Sequence, residues 1–280
     1  MDTQTLRTFL LLSKLKSFTQ TAERLFIAQS TVTNRIAELE KEVGKALFIR
    51  TRRNIELTAE GILFTPYAER IIDLEEASIS DINASSKYSS FLRIGTTNSI
   101  YDCHMFSLIH SFTENNPYTS VKVTIGHSSE LLQMLQDNIL DVVFSFLPVH
   151  KSGYNCTNFH VDKLVLVTNC KNTEFIHGIR RKELKDINYL MCNFALKEVG
   201  QFIRELFPPY HQFSFEIDNS AKLIPYLLDR TGYSFLPQIM VAPYVKEKKL
   251  IVIPLLDFET PEISNYYITK TDTDFNLIEA

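Results

Sequence analysis

Apolar residues recur at helical spacing through the first third of the chain and then gather into short runs separated by helical stretches. Leu6, Phe9, Leu10 and Leu12 outline a first helix over about residues 3–15. A second helix opens on "SFTQ", where Ser17 and Gln20 make a capping box, with Ala22, Leu25 and Phe26 as its expected buried side. The connection "FIA" leaves room only for a sharp turn. The third stretch, "AQSTVTNRIAELE" at residues 28–40, has two faces. Val32, Ile36 and Leu39 form an apolar stripe that Val43 extends, and the short polar residues Gln29, Ser30, Thr33 and Asn34 lie elsewhere. "LFIRTRRNIELT" then reads as strand, turn, strand, with Leu47, Phe48, Ile55 and Leu57 apolar, Arg50, Arg52 and Arg53 near the turn, and Asn54 as a turn residue.

Residues 59–90 read as one helix despite Pro66, with an apolar stripe of Ile62, Leu63, Tyr67, Ile71, Leu74 and Ala77. Such a stripe needs a partner: a second copy of the helix or the chain's own body. "NASSKYSS" follows as a hinge. Beyond it, "FLRIG", "SVKVTIG" and "ILDVVFSFLP" read as strands separated by two helical stretches, a βαβαβ pattern that predicts an open α/β sheet. A second α/β unit follows, with strands near "KLVLVTN", "YLMCN", "FSFEID" and "GYSFLP" and helices near Val199–Leu206 and Ser220–Asp229. "LIVIPL" and "NYYIT" close the chain.

The polar row on the third stretch gains a meaning from its surroundings. Two helices joined by a sharp turn, the second with a polar front, form the helix-turn-helix pattern. A recognition helix enters the major groove with its N-terminal residues, where Gln or Asn pairs with adenine and Ser or Thr serves either partner. The same residue types also suit a solvated first turn. An arginine-tipped hairpin beside such a unit is a wing, suited to phosphate or narrow minor-groove contact.

Charge sharpens this division. Residues 1–60 hold 10 Lys and Arg against 7 Asp and Glu, a net +3, so the formal −4 of the whole chain leaves −7 for the remainder. A mildly basic head on an acidic body fits a nucleic-acid-binding head. No apolar run reaches the ~18 residues of a membrane span, and the N-terminus lacks a signal-peptide pattern. The four cysteines, Cys103, Cys156, Cys170 and Cys192, form no CxxC, as in a reduced cytoplasmic protein. Cys103 lies near the start of the first body helix, a position expected to favour a thiolate, although no resolving partner is evident. No metal-ligand spacing, P-loop, GxGxxG or nucleophile–base motif is present, so neither a cofactor nor catalysis is expected.

"SFTQTAERLFIAQSTVTNRIAELEKEVGKALFIRTRRNIELTAEG" resembles the N-terminal domain of LysR-type transcriptional regulators, in a dense ordered match over about 45 residues. The resemblance implies an α/β multidomain protein. Its parts would be a winged helix-turn-helix at residues 1–58, a dimerising linker helix and hinge at 59–90, and a two-lobed α/β effector-binding domain at 91–280, akin to periplasmic binding proteins. In the last part "LDVVFSFLP" and "TGYSFLP" carry the likeness. Gln29, Ser30, Thr33 and Asn34 fall where the family touches DNA bases and phosphates, and Arg50, Arg52 and Arg53 fall on the wing. Ala28 stands where the family usually has a capping Ser, Ser30 where Pro is common, and Asn34 where Arg is frequent.

In open α/β sheets ligands sit beyond the carboxyl ends of strands, against helix N-termini. That selects Thr97, Asn98 and Ser99 after the first body strand, His127, Ser128 and Ser129 after the second, and Phe146 after the third, with Asn193 and Ser220 from the other lobe. The same residues also serve as ordinary helix caps. Hydroxyls and free N–H groups at helix starts favour a small anion such as a carboxylate. The resemblance implies double-stranded DNA at dyad-symmetric, A·T-leaning sites and further copies of the chain in a homodimer or homotetramer as partners, with a small effector and no membrane. The rival readings are a solute-binding protein, which requires a signal peptide, and an α/β enzyme, which requires a catalytic constellation.

Overall fold

A computed structural model describes residues 1–50, 54–83, 88–192, 197–273 and 277. The chain divides into two compact units, residues 1–86 and 87–280.

In the first unit, α1 (Thr3–Leu15), α2 (Phe18–Leu25) and α3 (Gln29–Val43) follow one another as the apolar spacing predicts. Asp2 caps α1 by accepting from the Thr5 N–H at 2.6 Å. Ser17 caps α2 by accepting from the Gln20 N–H at 3.3 Å, the expected half of the capping box. Ala28 starts α3 without any side-chain cap. Gly44, with φ of 73°, ends α3 in the left-handed region that glycine adopts freely. Phe26 departs from expectation. Helix α2 stops at Leu25, and Phe26 takes a left-handed φ of 55° that turns its ring outward, leaving it 94 % exposed. Leu6, Phe9, Leu12, Val32, Ile36, Leu39 and Leu47 fill the core of this unit. Each such side chain contributes roughly 1.5–3 kcal/mol by leaving water.

Strands β1 (Phe48–Arg50) and β2 (Ile55–Leu57) pair antiparallel, with Phe48 opposite Leu57 and Arg50 opposite Ile55. Helix α4 (Ala59–Asn83) runs on through Pro66. It packs Ala68 and Ile72 into the core of the first unit, with Phe64 and Ile71 alongside. Ile62, Leu63, Tyr67 and Leu74, the greater part of the expected apolar stripe, stay exposed on this helix.

The second unit is built on a mixed sheet. Strands β3 (Ser90–Thr96), β4 (Thr119–Ile125) and β5 (Val142–Ser145) are parallel, with β3 in the centre. Strand β11 (Glu262–Lys270) joins antiparallel to β5 on one side and to β6 (Tyr154–Asn169) on the other. The first part of β6, to Lys163, pairs with β11; the rest, from Leu164, lies between β9 (Tyr233–Pro237) and β10 (Leu250–Ile253). Thus β6 belongs to both lobes. A parallel pair, β7 (Leu190–Cys192) and β8 (Phe215–Ile217), joins β9 through a Tyr189–Tyr233 bridge and extends the second lobe.

Around these strands lie α5 (Asn98–Ile100), a π-helical turn (Tyr101–Met105), α6 (Phe106–Asn115) and α7 (Ser128–Gln136), then α8 (Lys197–Glu205), α9 (Ser220–Asp229) and α10 (Gln238–Lys246). The sequence pattern had not indicated the π turn, α10 or the first half of β6. Among the described residues no helix is long and apolar enough to cross a membrane.

Candidate functional site

Gln29, Ser30, Thr33 and Asn34 share the first two turns of α3. Gln29, Ser30 and Asn34 are exposed and Thr33 is half-buried. The Thr33 hydroxyl donates to the Gln29 carbonyl at 3.1 Å, and the Thr19 hydroxyl of α2 donates to Gln29 Oε1 at 3.2 Å. Thr19, which sequence reasoning passed over, therefore fixes one of the proposed base-reading side chains. Opposite this polar end, Val32, Ile36 and Leu39 are buried and hold the helix to its core. Arg50 closes β1, while its side chain, and all of Arg52 and Arg53, lie outside the described residues.

The second candidate site lies where the parallel strands end. Thr96, Ile125 and Phe144 stand opposite one another across β3, β4 and β5, so the residues that follow them emerge along one edge of the sheet. There Thr97 is buried and caps α5, accepting from the Ile100 N–H at 3.4 Å. Ser99, in α5, approaches Ser220 at the start of α9, with their hydroxyl oxygens 3.5 Å apart. This is a contact between the two lobes, made by two of the expected residues. Cys192, at the end of β7, places its sulfur 3.5 Å from the same Ser220 hydroxyl and joins the group without having been anticipated. Its position at a strand end was the available signal.

Ser128 and Phe146 also meet, the Phe146 N–H donating to Ser128 Oγ at 3.3 Å. Asn98, His127 and Ser129 are exposed. The backbone N–H of His127 donates to the Glu130 carboxylate at 3.4 Å, which closes the start of α7. Asn193 lies outside the described residues. A shallow basic depression of about 420 Å³ on the second lobe is lined by Arg181, Lys182, Lys185, Leu206, Pro208 and Asp257, and shares no residue with this group.

Just beyond Ser99, the π turn carries a buried polar cluster. His104 Nε2 lies 3.0 Å from both oxygens of Asp162 on β6, with the two side chains 4 % and 10 % exposed. Asn265 of β11 donates to Asp162 at 2.9 Å, and its own side-chain oxygen is buried with no hydrogen-bond partner among the described residues. His160 stacks on His104 with ring centroids 4.2 Å apart. The expectation of a thiolate at Cys103 is overturned by this neighbourhood. Burial, and then the carboxylates of Asp162 and Asp102, push its thiol up to about 12. Among the described residues no group of three or more His, Cys, Asp or Glu is placed to hold a metal ion.

Comparison with known proteins agrees with both parts of the chain. Residues 3–62 match the bacterial regulatory helix-turn-helix proteins of the lysR family, and residues 87–274 match the LysR substrate binding domain. The HTH-type transcriptional regulator CitR of Bacillus subtilis (strain 168) is 31% identical over 96% of this chain and 93% of its own length. HdfR of Escherichia coli is 32% identical over 52% of this chain and 53% of its own length. In fold, the crystal structure of the LysR family regulator CbnR covers 100% of this chain and 96% of CbnR, with a TM-score of 0.72 at 17% identity. CbnR complexed with its target DNA covers 97% of this chain and 94% of CbnR, with a TM-score of 0.68 at 18% identity. These relatives are regulators, which sets aside the solute-binding and enzymatic alternatives. The chain belongs to the LysR family: it is a DNA-binding transcriptional regulator with an effector-binding domain.

Proposed function

We propose that the first two turns of α3 read DNA directly, with Gln29 and Asn34 on base edges and Ser30 and Thr33 on bases or flanking phosphates. The exposure of Gln29, Ser30 and Asn34, with Thr33 half-buried beside them, at the N-terminal end of a helix whose other face is buried carries the reading. Arg50, Arg52 and Arg53 of the wing supply phosphate or minor-groove contacts. The test is a gel shift of the full chain on DNA upstream of its own gene. Thr33→Ala and Asn34→Ala are expected to weaken sequence-preferring binding about 5- to 100-fold each, from roughly 1–3 kcal/mol per base contact. Unchanged binding by both variants overturns the assignment.

In the second unit, Thr97, Asn98, Ser99, His127, Ser128, Ser129, Phe146, Asn193 and Ser220 surround a small anionic effector, a carboxylate being the best chemical match. The close approach of Ser99, within α5, to Ser220, which opens α9, supports this reading, because hydroxyls from both lobes converge beside the start of a helix. A thermal-shift screen of the full chain against small carboxylates and amino acids tests it. A stabilising carboxylate whose effect disappears in Ser220→Leu is the expected result, and stabilisation only by cationic or neutral amines overturns the anionic class. The chain acts in the cytoplasm as a homodimer or homotetramer, with the exposed apolar face of α4 as the contact between copies.

A further inference from the structure

Glu40 lies on the C-terminal half of α3, away from the proposed base-reading turns, and its side chain is half-buried. One of its carboxylate oxygens, Oε1, accepts from the N–H groups of both Leu47, at 2.8 Å, and Phe48, at 3.1 Å. Leu47 immediately precedes β1 and Phe48 opens it, two residues from Arg50 in the same strand. The other backbone group of Leu47 is equally committed: its carbonyl accepts from the Thr58 N–H at 3.0 Å, just past the end of β2. Thr58 in turn donates its hydroxyl to the Ala46 carbonyl at 2.8 Å and accepts from the Gly61 N–H at 2.9 Å, which caps the start of α4. Gly61 passes so near that a Cβ there would collide with the Leu47 carbonyl oxygen. The buried Leu47 backbone thus joins the recognition helix, both wing strands and the first turn of α4.

We propose that Glu40 is a positioning residue for DNA binding, fixing the wing in register with the base-reading turns of α3. The proposal rests on the reading that the wing arginines meet phosphate. A charged oxygen receiving two N–H groups makes short, strong bonds and defines the distance from helix to strand more tightly than apolar packing does. A carboxamide at this position keeps Oε1 and can accept from the same two groups. An aspartate keeps the charge but is one methylene too short to reach them from the same backbone.

The test measures binding of the full chain to a duplex taken from upstream of its own gene, as a function of salt. Each phosphate contact contributes about 0.9 to the log–log salt slope. Glu40→Leu and Glu40→Asp are expected to lower the slope by about 1–2, and Glu40→Gln to leave it within experimental error of the parent. In a chain already carrying Arg52→Ala and Arg53→Ala, Glu40→Asp is expected to give no further loss, because both changes remove the same contacts. If Glu40→Leu unfolds the head, as judged by amide exchange in α1 and α3, Glu40→Asp decides. A parental slope in Glu40→Asp, alongside a lowered slope in the arginine double variant, overturns the proposal. A parental slope in the arginine double variant overturns the reading of the wing instead.

Discussion

Cys103 and Cys192 are thiols that the surrounding structure keeps neutral. Burial comes first in both cases; at Cys103 the Asp162 and Asp102 carboxylates add to it, and Cys192 is pushed up to about 11. Cys170 is exposed. Thiol labelling of the folded chain at pH 8, followed by peptide mass spectrometry, is expected to modify Cys170 at least about 100-fold faster than Cys103, since reactivity follows the thiolate fraction. Equal rates would contradict this description of the π turn. The sequence alone could not show it, because Asp162 lies far along the chain and reaches Cys103 only when β6 passes beside the turn. His160 responds to the same neighbourhood. Partial desolvation and then the adjacent His104 ring lower its pKa from the ordinary 6.5, with Asp162 opposing. Below that value the unfolded chain binds this proton more readily than the folded one. His160 therefore adds stability that is fully present above about pH 6.5 and is lost as the pH falls toward the lowered folded value. The melting temperature is expected to fall between pH 7 and pH 5.5, and His160→Gln to make that fall smaller.

Helix α3 begins on a residue that cannot cap it. A serine at position 28 would accept from the N–H of Ser30 or Thr31, and such a cap typically contributes about 1 kcal/mol. The Thr31 N–H already donates to the Ala28 carbonyl at 3.0 Å, so Ala28→Ser is expected to slow amide exchange chiefly at Ser30, about fivefold in the DNA-free protein, and unchanged exchange there would show that the first turn is closed by other means. The missing cap was legible directly, as were α1, α3, β1 and β2, because each rests on local spacing and local turn chemistry. The elements that escaped depend on distant partners. The first half of β6, "YNCTNFHVD", is largely polar and becomes a strand because β11 pairs along it. Helix α10 contains Pro243, which breaks the expected pattern, yet Met240 and Val241 anchor it in the second lobe. In the candidate effector site, individual residues were legible from strand ends and helix starts. The approach of Ser99 to Ser220 was not, since it depends on how two lobes from distant parts of the sequence meet.

The first unit leaves a row of large apolar side chains uncovered along α4: Ile62 is 63% exposed, Leu63 67%, Tyr67 56% and Leu74 41%. Contiguous exposed apolar surface of this kind marks an association face. The pair Ile62→Asp and Leu63→Asp is expected to shift the full chain toward monomer in light scattering after size exclusion, with α4 still helical by amide exchange. An unchanged oligomer would place the contact between copies elsewhere. In the second unit, strand β6 has a mechanical consequence. Lys163 is its last residue opposite β11 and Leu164 its first opposite β9, so the backbone crosses from lobe to lobe without leaving its hydrogen-bonded ladders. Sliding one lobe along the other would have to break ladder hydrogen bonds on one side of the crossing, whereas a twist about the strand would leave them in place. If the effector sits beside Ser99 and Ser220 as proposed, it would press on the two lobes near this crossing, where a turn of one lobe against the other costs the ladder least.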